Sequence, residues 1–218
     1  MEYYRFGVMR MEIEILYCDK DIAVCIKPAG VLSESGGMPE LLSAQLGGQF
    51  YCVHRLDKAV GGVMVYARSS FAAAKLSSAI AQGQTVKEYL AVVLGRPEPA
   101  EGLMRDLLFR DKAKNKSYVV DRMRRGVKEA ELEYALIGSN AGYSLVQIRL
   151  HTGRSHQIRV QFASRGMPLL GDARYGGMKS VNIALWSHRL SFPDVHTGEL
   201  REFTAPAPGK APWNLEYI

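Results

Sequence analysis

Cysteine is scarce in this chain. The 218 residues hold three, Cys18, Cys25 and Cys52, an odd number with no C-x-x-C pair. That excludes a disulfide framework and leaves no cysteine zinc motif. Reduced thiols in a cytosolic protein are the simplest reading. Long apolar runs are missing too: the longest uncharged ones, such as Tyr89 to Gly95, fall far short of the ~20 residues of a membrane span. The opening MEYYRFGVMR lacks the apolar core and small-residue cleavage site of a secretory signal. There is no internal repeat, low-complexity tract or Pro/Ser-rich linker. A glycine-rich phosphate loop and a dinucleotide-binding fingerprint are also absent, so no cofactor is expected.

What is present is an ordinary globular composition, 47% hydrophobic, in a length that suits one domain. Residues 1–10 are expected to be a short extension and 11–218 the folded domain. Lys and Arg exceed Asp and Glu by 28 to 22, a net +6. This excess permits a polyanionic partner without establishing one. It is unevenly spread. Residues 105–130 hold nine basic and four acidic side chains, so +5 of the +6 sits there. Lys112, Lys114 and Lys116 lie in the middle of that stretch.

The local patterns alternate between strands and a few helices. IEILY and IAVCIK flank the turn CDKD and read as a hairpin that Pro28 and Gly30 end. A short apolar-periodic piece, LLSAQL, suggests a helix. Gly62–Ala67 reads as a strand. The stretch SSFAAAKLSSAIAQG reads as a helix capped at Ser69 or Ser70 and stopped near Gly83, with Phe71, Ala74, Leu76 and Ile80 as its apolar stripe. VKEYLAVVLG, AELEYALIG, YSLVQIRLHTG, IALWSHRLSFP and ELREFTAP read as strands. A last helix is expected from near Ser155 to Gly166 and Pro168. Strands outnumber helices, and strict β-α-β alternation is absent. The expected fold is α+β, with a mixed, largely antiparallel sheet flanked by helices and loops.

Three constellations can carry chemistry. In HRLDKAVGG, Asp57 is the only carboxylate, two residues after Arg55. An aspartate anion there can act as a nucleophile or stabilise a developing cation. It can equally cap a turn, with Arg55 as its surface ion pair. In GRSHQIRVQF, Arg154, His156, Gln157 and Arg159 crowd a strand-to-helix junction, where backbone N–H groups and arginines suit phosphate or carboxylate. A merely solvated basic helix start also fits. His151, His156 and His188 invite a metal reading, but the nearest pair is five apart across the junction, and no metal is expected. In KEYLAVVLG, Tyr89 is either a core aromatic or a flat ring offered to a base, a contact worth roughly 1–3 kcal/mol.

Taken together, KPAG at 27–30, HRLD at 54–57, KEYLAVVLG at 87–95 and GRSHQIRVQFASRGMPLLGDARYG at 153–176 resemble, in order and spacing, the RluA-type pseudouridine synthases. The resemblance runs from about residue 13 to about 205. It implies an isomerase that converts a uridine of ribosomal or transfer RNA to pseudouridine without cofactor or metal. The alternative is a catalytically weak or inactive RNA-binding protein of the same fold. The resemblance implies that Asp57 is the essential residue, that Tyr89 stacks on the target uracil, and that Arg159 pairs with Asp57. It places Ile158 in the apolar pocket. Arg55 resembles the arginine that helps hold the flipped nucleotide, with His54 beside it. Arg154 and His156 are expected to contact phosphate or position the loop, and the basic 105–130 segment to grip the backbone. Where the family usually reads Thr-Ser-Gly after HRLD and two residues, this chain reads Val60-Gly61-Gly62, so two hydroxyls are lost. The small RNA-binding domain that many relatives carry before KPAG is expected to be missing. A cytoplasmic monomer acting on a stem-loop of RNA, with no membrane partner, completes the expectation.

Overall fold

The computed structural model describes residues 11–140, 142–178, 182–209 and 212–213. The expected extension at 1–10 lies outside them. The chain opens with β1 (Ile15–Cys18) and β2 (Ile22–Lys27), then α1 (Met38–Leu46), β3 (Tyr51–Cys52), β4 (Gly61–Ala67) and α2 (Ser70–Ala81). There follow β5 (Val86–Leu94), β6 (Glu101–Asp111), β7 (Lys116–Val120), β8 (Val127–Ser139), β9 (Tyr143–Leu150) and α3 (Gln157–Ala163). β10 (Leu185–Pro193) and β11 (Leu200–Thr204) close the fold.

The strands join into one sheet in the order β1-β2-β4-β10-β5-β9-β8-β6-β7, with β11 on β10 and β3 on β4. Every pairing is antiparallel except β4 with β10. This is the expected single α+β domain with a mixed, mostly antiparallel sheet. The first hairpin turns as its sequence dictates: Asp19 Oδ1 accepts from the amides of Asp21 and Ile22.

β4 is buried along its whole length, and its side chains alternate between two cores. Met64 and Tyr66 join a core with Met38, Leu42, Tyr89, Ile158 and Phe162. Val63, Val65 and Ala67 join another with Ala72, Leu76, Leu190 and Phe192. The sheet is thus covered by α1 and α3 on one face and by α2 on the other.

One reading changes, and one stretch for which the sequence suggested no element acquires strands. The apolar stripe of α2 is Ala72, Leu76 and Ala79, spaced i, i+4, i+7, while Phe71 is 47% exposed and Ala74 faces solvent. The phase is fixed at the N-cap, where Ser69 Oγ accepts from Ala72 N at 3.1 Å. Phe71 instead stacks on His196. The charged 105–130 stretch is ordered β-structure: it spans most of β6, all of β7 and the start of β8. Met104 and Leu108 point inward there while Arg105 faces out.

Candidate active site

Asp57 lies in the loop between β3 and β4, and that loop is held from several sides. Lys27, with no solvent exposure, donates through Nζ to the carbonyls of Val60 (2.7 Å), Pro28 (3.0 Å) and Lys58 (3.3 Å). Ser33 Oγ accepts from Leu56 N and donates to Leu56 O. The amide of Gly30 donates to Lys58 O, and that of Val60 to Asp57 O. His54 Nε2 accepts from Val65 N at 3.2 Å. Burial, then the nearby Lys87 charge, push the His54 pKa down to about 3, so the ring is a neutral acceptor that fixes the loop to β4.

The Val60-Gly61-Gly62 departure has a packing origin. Val60 is buried in the core. A Cβ on Gly61 would lie 2.6 Å from the Trp186 ring, and one on Gly62 would lie 2.2 Å from Ser187 O. Gly62 also has φ +121°, a conformation side chains rarely adopt. Gly61 and Gly62 pair with Trp186 and Ser187, so the parallel β4–β10 contact itself excludes side chains here. Trp186 occupies the space a hydroxyl-bearing residue at 61 would need.

Across the cleft, α3 presents Arg159. Its Nη1 donates to Asp57 Oδ2 at 2.7 Å, closing a contact between residues 102 apart in sequence. The rest of the guanidinium is held by Asp172, with Nε to Oδ2 at 2.6 Å and Nη2 to Oδ1 at 2.8 Å. Asp172 has no solvent exposure and sits in a tight turn that accepts amides from Tyr175 and Gly177. Burial opposes the charge on Arg159. The hydrogen bonds and charge of Asp172, then those of Asp57, outweigh it and raise its pKa above the ordinary value. A planar fork held bidentately on one carboxylate is oriented for a second, which lysine's point charge does not provide.

His156, the N-cap of α3, adopts the left-handed conformation at φ 55°. Its Nδ1 lies 2.9 Å from the Tyr175 hydroxyl, and Arg110 Nη1 is 3.4 Å from either ring nitrogen. Burial, only partly offset by Asp57, brings its pKa to about 4, with Arg159, Arg110 and Arg174 adding to the fall. The 3.7 Å approach of His156 Nε2 to Asp57 is therefore not an ion pair at neutral pH. Tyr175 lies under Arg159 with its ring centre 5.2 Å away and accepts from Ser117 N.

Tyr89 and Ile158 are buried in the same core as this cluster, at 6% and 4% exposure. Burial, then the Asp57 charge, raise the Tyr89 pKa, so the phenol stays neutral. Asp57, Tyr89, His156, Ile158, Arg159 and Asp172 line one cleft of about 1310 Å³. That exceeds the ~300–1,000 Å³ of ordinary small-molecule pockets and suits a polymer. Its walls carry Arg55, Lys58, Lys87, Arg110, Arg154 and Arg174 around Asp57 and Asp172.

Several expected residues stand elsewhere or are engaged. Arg55 is 66% exposed and pairs with Glu34 at 2.8 Å, not with Asp57. Arg154 Nε donates to Glu129 O. Lys112 and Lys114 occupy the exposed turn between β6 and β7, whereas Lys116 lies half-buried between the rings of Tyr118 and Tyr175, at 5.6 and 5.1 Å. The three candidate metal histidines go separate ways: His151 to Glu133, His156 to Tyr175 and His188 to Ala205 O. Asp172, Tyr175, Lys27 and Arg110 were not singled out as site residues from the sequence. Asp172 and Tyr175 do sit in the glycine-flanked GDARYG turn, the one signal that pointed to them.

The comparisons decide the family. Residues 21–164 match the family model described as RNA pseudouridylate synthase. The chain belongs to that family. An uncharacterized RNA pseudouridine synthase of Bacillus subtilis, YlyB, is 31% identical over 217 residues, covering 91% of this chain and 70% of the relative. The ribosomal large subunit pseudouridine synthase D of Vibrio vulnificus is 32% identical over 234 residues, covering 94% and 70%. The human RNA pseudouridylate synthase domain containing 1 structure shares the fold, with a TM-score of 0.80 at 21% identity over 99% of this chain and 90% of that one. Its class is thus that of an isomerase acting on RNA. No described helix is long and apolar enough to cross a membrane.

Proposed function

We propose that this protein converts a specific uridine of ribosomal or transfer RNA to pseudouridine, with Asp57 as the essential residue and residues 11–218 as the catalytic domain. The observation that supports this best is the chain Asp57–Arg159–Asp172 at the floor of a basic cleft, beside the buried ring of Tyr89. The N1–C1′ bond of the uridine breaks, the uracil turns, and C5 bonds to C1′. A proton leaves C5 and one is taken up at N1, so the product is an isomer. One carboxylate serves any of three routes: attack at C1′, attack at the base, or removal of the C2′ proton.

Each neighbour has a task in this reading. Arg159 fixes the Asp57 carboxylate and stays charged while doing so. Tyr89 offers its ring to the uracil, and Ile158 completes the apolar wall. His156, neutral and anchored by Tyr175, shapes the pocket rim. The target base must leave its stack to reach Asp57, at a cost that is lower in an RNA loop. Arg55 must then exchange Glu34 for RNA. His54 acts through the loop, and Lys112 and Lys114 are the exposed cations of the hairpin tip. Arg154 holds β8 and lends only its outer nitrogens to phosphate.

The loss of two hydroxyls at Val60-Gly61 does not favour the inactive alternative. The loop is carried by Lys27, Ser33 and His54, and Gly61 is matched to Trp186. The test is deletion of the gene followed by chemical mapping of pseudouridines in ribosomal and transfer RNA. A single site should vanish and return with the wild-type gene. An unchanged map would refute the reading.

A further inference from the structure

Lys87 is a cleft residue the reading above does not use. It stands two residues before Tyr89 on β5, so the two side chains leave the same face of the strand, roughly 7 Å apart. Glu88, between them, goes to the outer face and meets Gln147 and Arg189. Beyond Asp57 the cleft continues past Lys87 toward the end of α2, between Val53, Ile80, Thr85 and Leu150. These walls leave Lys87 half-buried, as one of the residues that line the cleft.

That ammonium makes no hydrogen bond and no ion pair with any described residue. Lys58 is likewise without a partner among the described residues, but it is exposed, and the cleft arginines are engaged. Arg55 has Glu34, Arg159 has two carboxylates, and Arg174 donates to the carbonyls of Lys114 and Asn115. The last turn of α2 gives no substitute, because the carbonyls of Ser78, Ala79 and Ile80 accept from Gln82, Gln84 and Gly83. Burial lowers the Lys87 pKa with no opposing charge, which is the signature of a cation already partly stripped of water. Such a group gains most from an incoming anion, since part of its desolvation is already done. The Thr85 side chain lines the same limb.

We propose that Lys87 forms a subsite for a phosphodiester group of the RNA strand, next to the nucleotide that enters the Asp57 pocket. The inference rests on the RNA-modifying reading above. Lys87 lies on the His54 side of Asp57 and Arg110 on the His156 side, so the strand is held by cations on both flanks of the flipped base. Lysine suits this place as a flexible point charge that tolerates whichever nucleotide precedes or follows the target.

The test uses the full chain and a uridine-containing single-stranded RNA of mixed sequence, with binding followed by fluorescence anisotropy from 50 to 200 mM KCl. One phosphate contact contributes about 0.7 to the slope of log affinity against log salt. Lys87→Met is expected to lower the slope by about that amount and weaken binding several-fold at 50 mM, with a melting temperature at or above wild type. Lys87→Arg is expected to keep the wild-type slope. A Lys87→Met slope equal to wild type overturns the inference, and so does a Lys87→Arg slope as low as that of Lys87→Met. If Lys87→Met does not fold, Lys87→Gln is read by the same criteria. Product formation by the same wild-type preparation is measured on RNA from a strain lacking the gene. A wild type that forms pseudouridine there while the Lys87→Met slope stays unchanged sinks the subsite alone, and a wild type that forms none there sinks the function.

Discussion

Asp172→Asn separates the role of the buried carboxylate from that of Asp57. The Arg159 and Asp172 side chains are 6% and 1% exposed, and two hydrogen bonds of 2.6 and 2.8 Å join them. Removing one partner of a buried pair costs about 3–5 kcal/mol, because the other charge is left without compensation. Asparagine keeps one acceptor oxygen, which places the loss near the lower end, about 3 kcal/mol. In a chain of this size 1 kcal/mol corresponds to about 2–4 °C, so the melting temperature should fall by about 6–12 °C. Asp57→Asn breaks only the contact at the solvent side, where Asp57 is 29% exposed. That loss is about 1 kcal/mol or less, at most about 4 °C. Calorimetry on both variants gives the order directly. Both should also lose product formation, since Arg159 without Asp172 no longer presents a fixed fork to Asp57. An Asp172→Asn melting point within about 2 °C of wild type, or a larger drop for Asp57→Asn, would refute the assignment of Asp172 as the anchor.

The packing at Gly61 predicts that Gly61→Ser costs about 1–3 kcal/mol in urea unfolding through overpacking against Trp186, and that adding Trp186→Leu recovers much of it. An unaffected single variant would show that the ring yields freely. At the hairpin tip, Lys112→Gln with Lys114→Gln should lower the RNA salt slope by up to about 0.7 per contact, while Lys116→Gln should change it less, because that ammonium already lies between two rings. A larger effect at Lys116 would reverse this assignment. In acid, His54 and His156 have folded pKa values of about 3 and 4, below the ordinary 6.5. The unfolded chain therefore binds more protons from pH 6.5 down to about 4 for His156 and about 3 for His54, and their stabilisation, complete above pH 6.5, is lost as pH falls through that window. His156→Asn should flatten this limb of the stability curve, and an equally steep limb would contradict the buried neutral imidazole.

How much of this was legible depended on distance along the chain. The Asp19 turn and the Ser69 cap follow from neighbouring residues, and the sequence shows them; α3 is shorter than its sequence suggests, Gln157–Ala163 within the expected 155–166. Asp57 and Arg159 were found because each sits in a recognisable motif, although nothing local joins residues 102 apart. Asp172 was harder to see, since an aspartate between glycines looks like any turn residue until Arg159 is folded over it. The strands β6 and β7 were hidden by their charges, because one face of that hairpin is solvated and only a few apolar residues, among them Met104, Leu108 and Val119, mark the other. Arg55 has two acidic neighbours in space, and the geometry of the loop after β2 gives it to Glu34. The meaning of Gly61 depended on Trp186, which only the β4–β10 pairing brings near.

The central claim is that Asp57, held by Arg159, performs the isomerisation. It is tested most directly by incubating purified wild type and Asp57→Asn with RNA from a strain lacking the gene and quantifying pseudouridine over time. The account predicts multiple-turnover product at one site with wild type and none with Asp57→Asn, although the variant binds the RNA as tightly. Product formation by Asp57→Asn near the wild-type rate would contradict it.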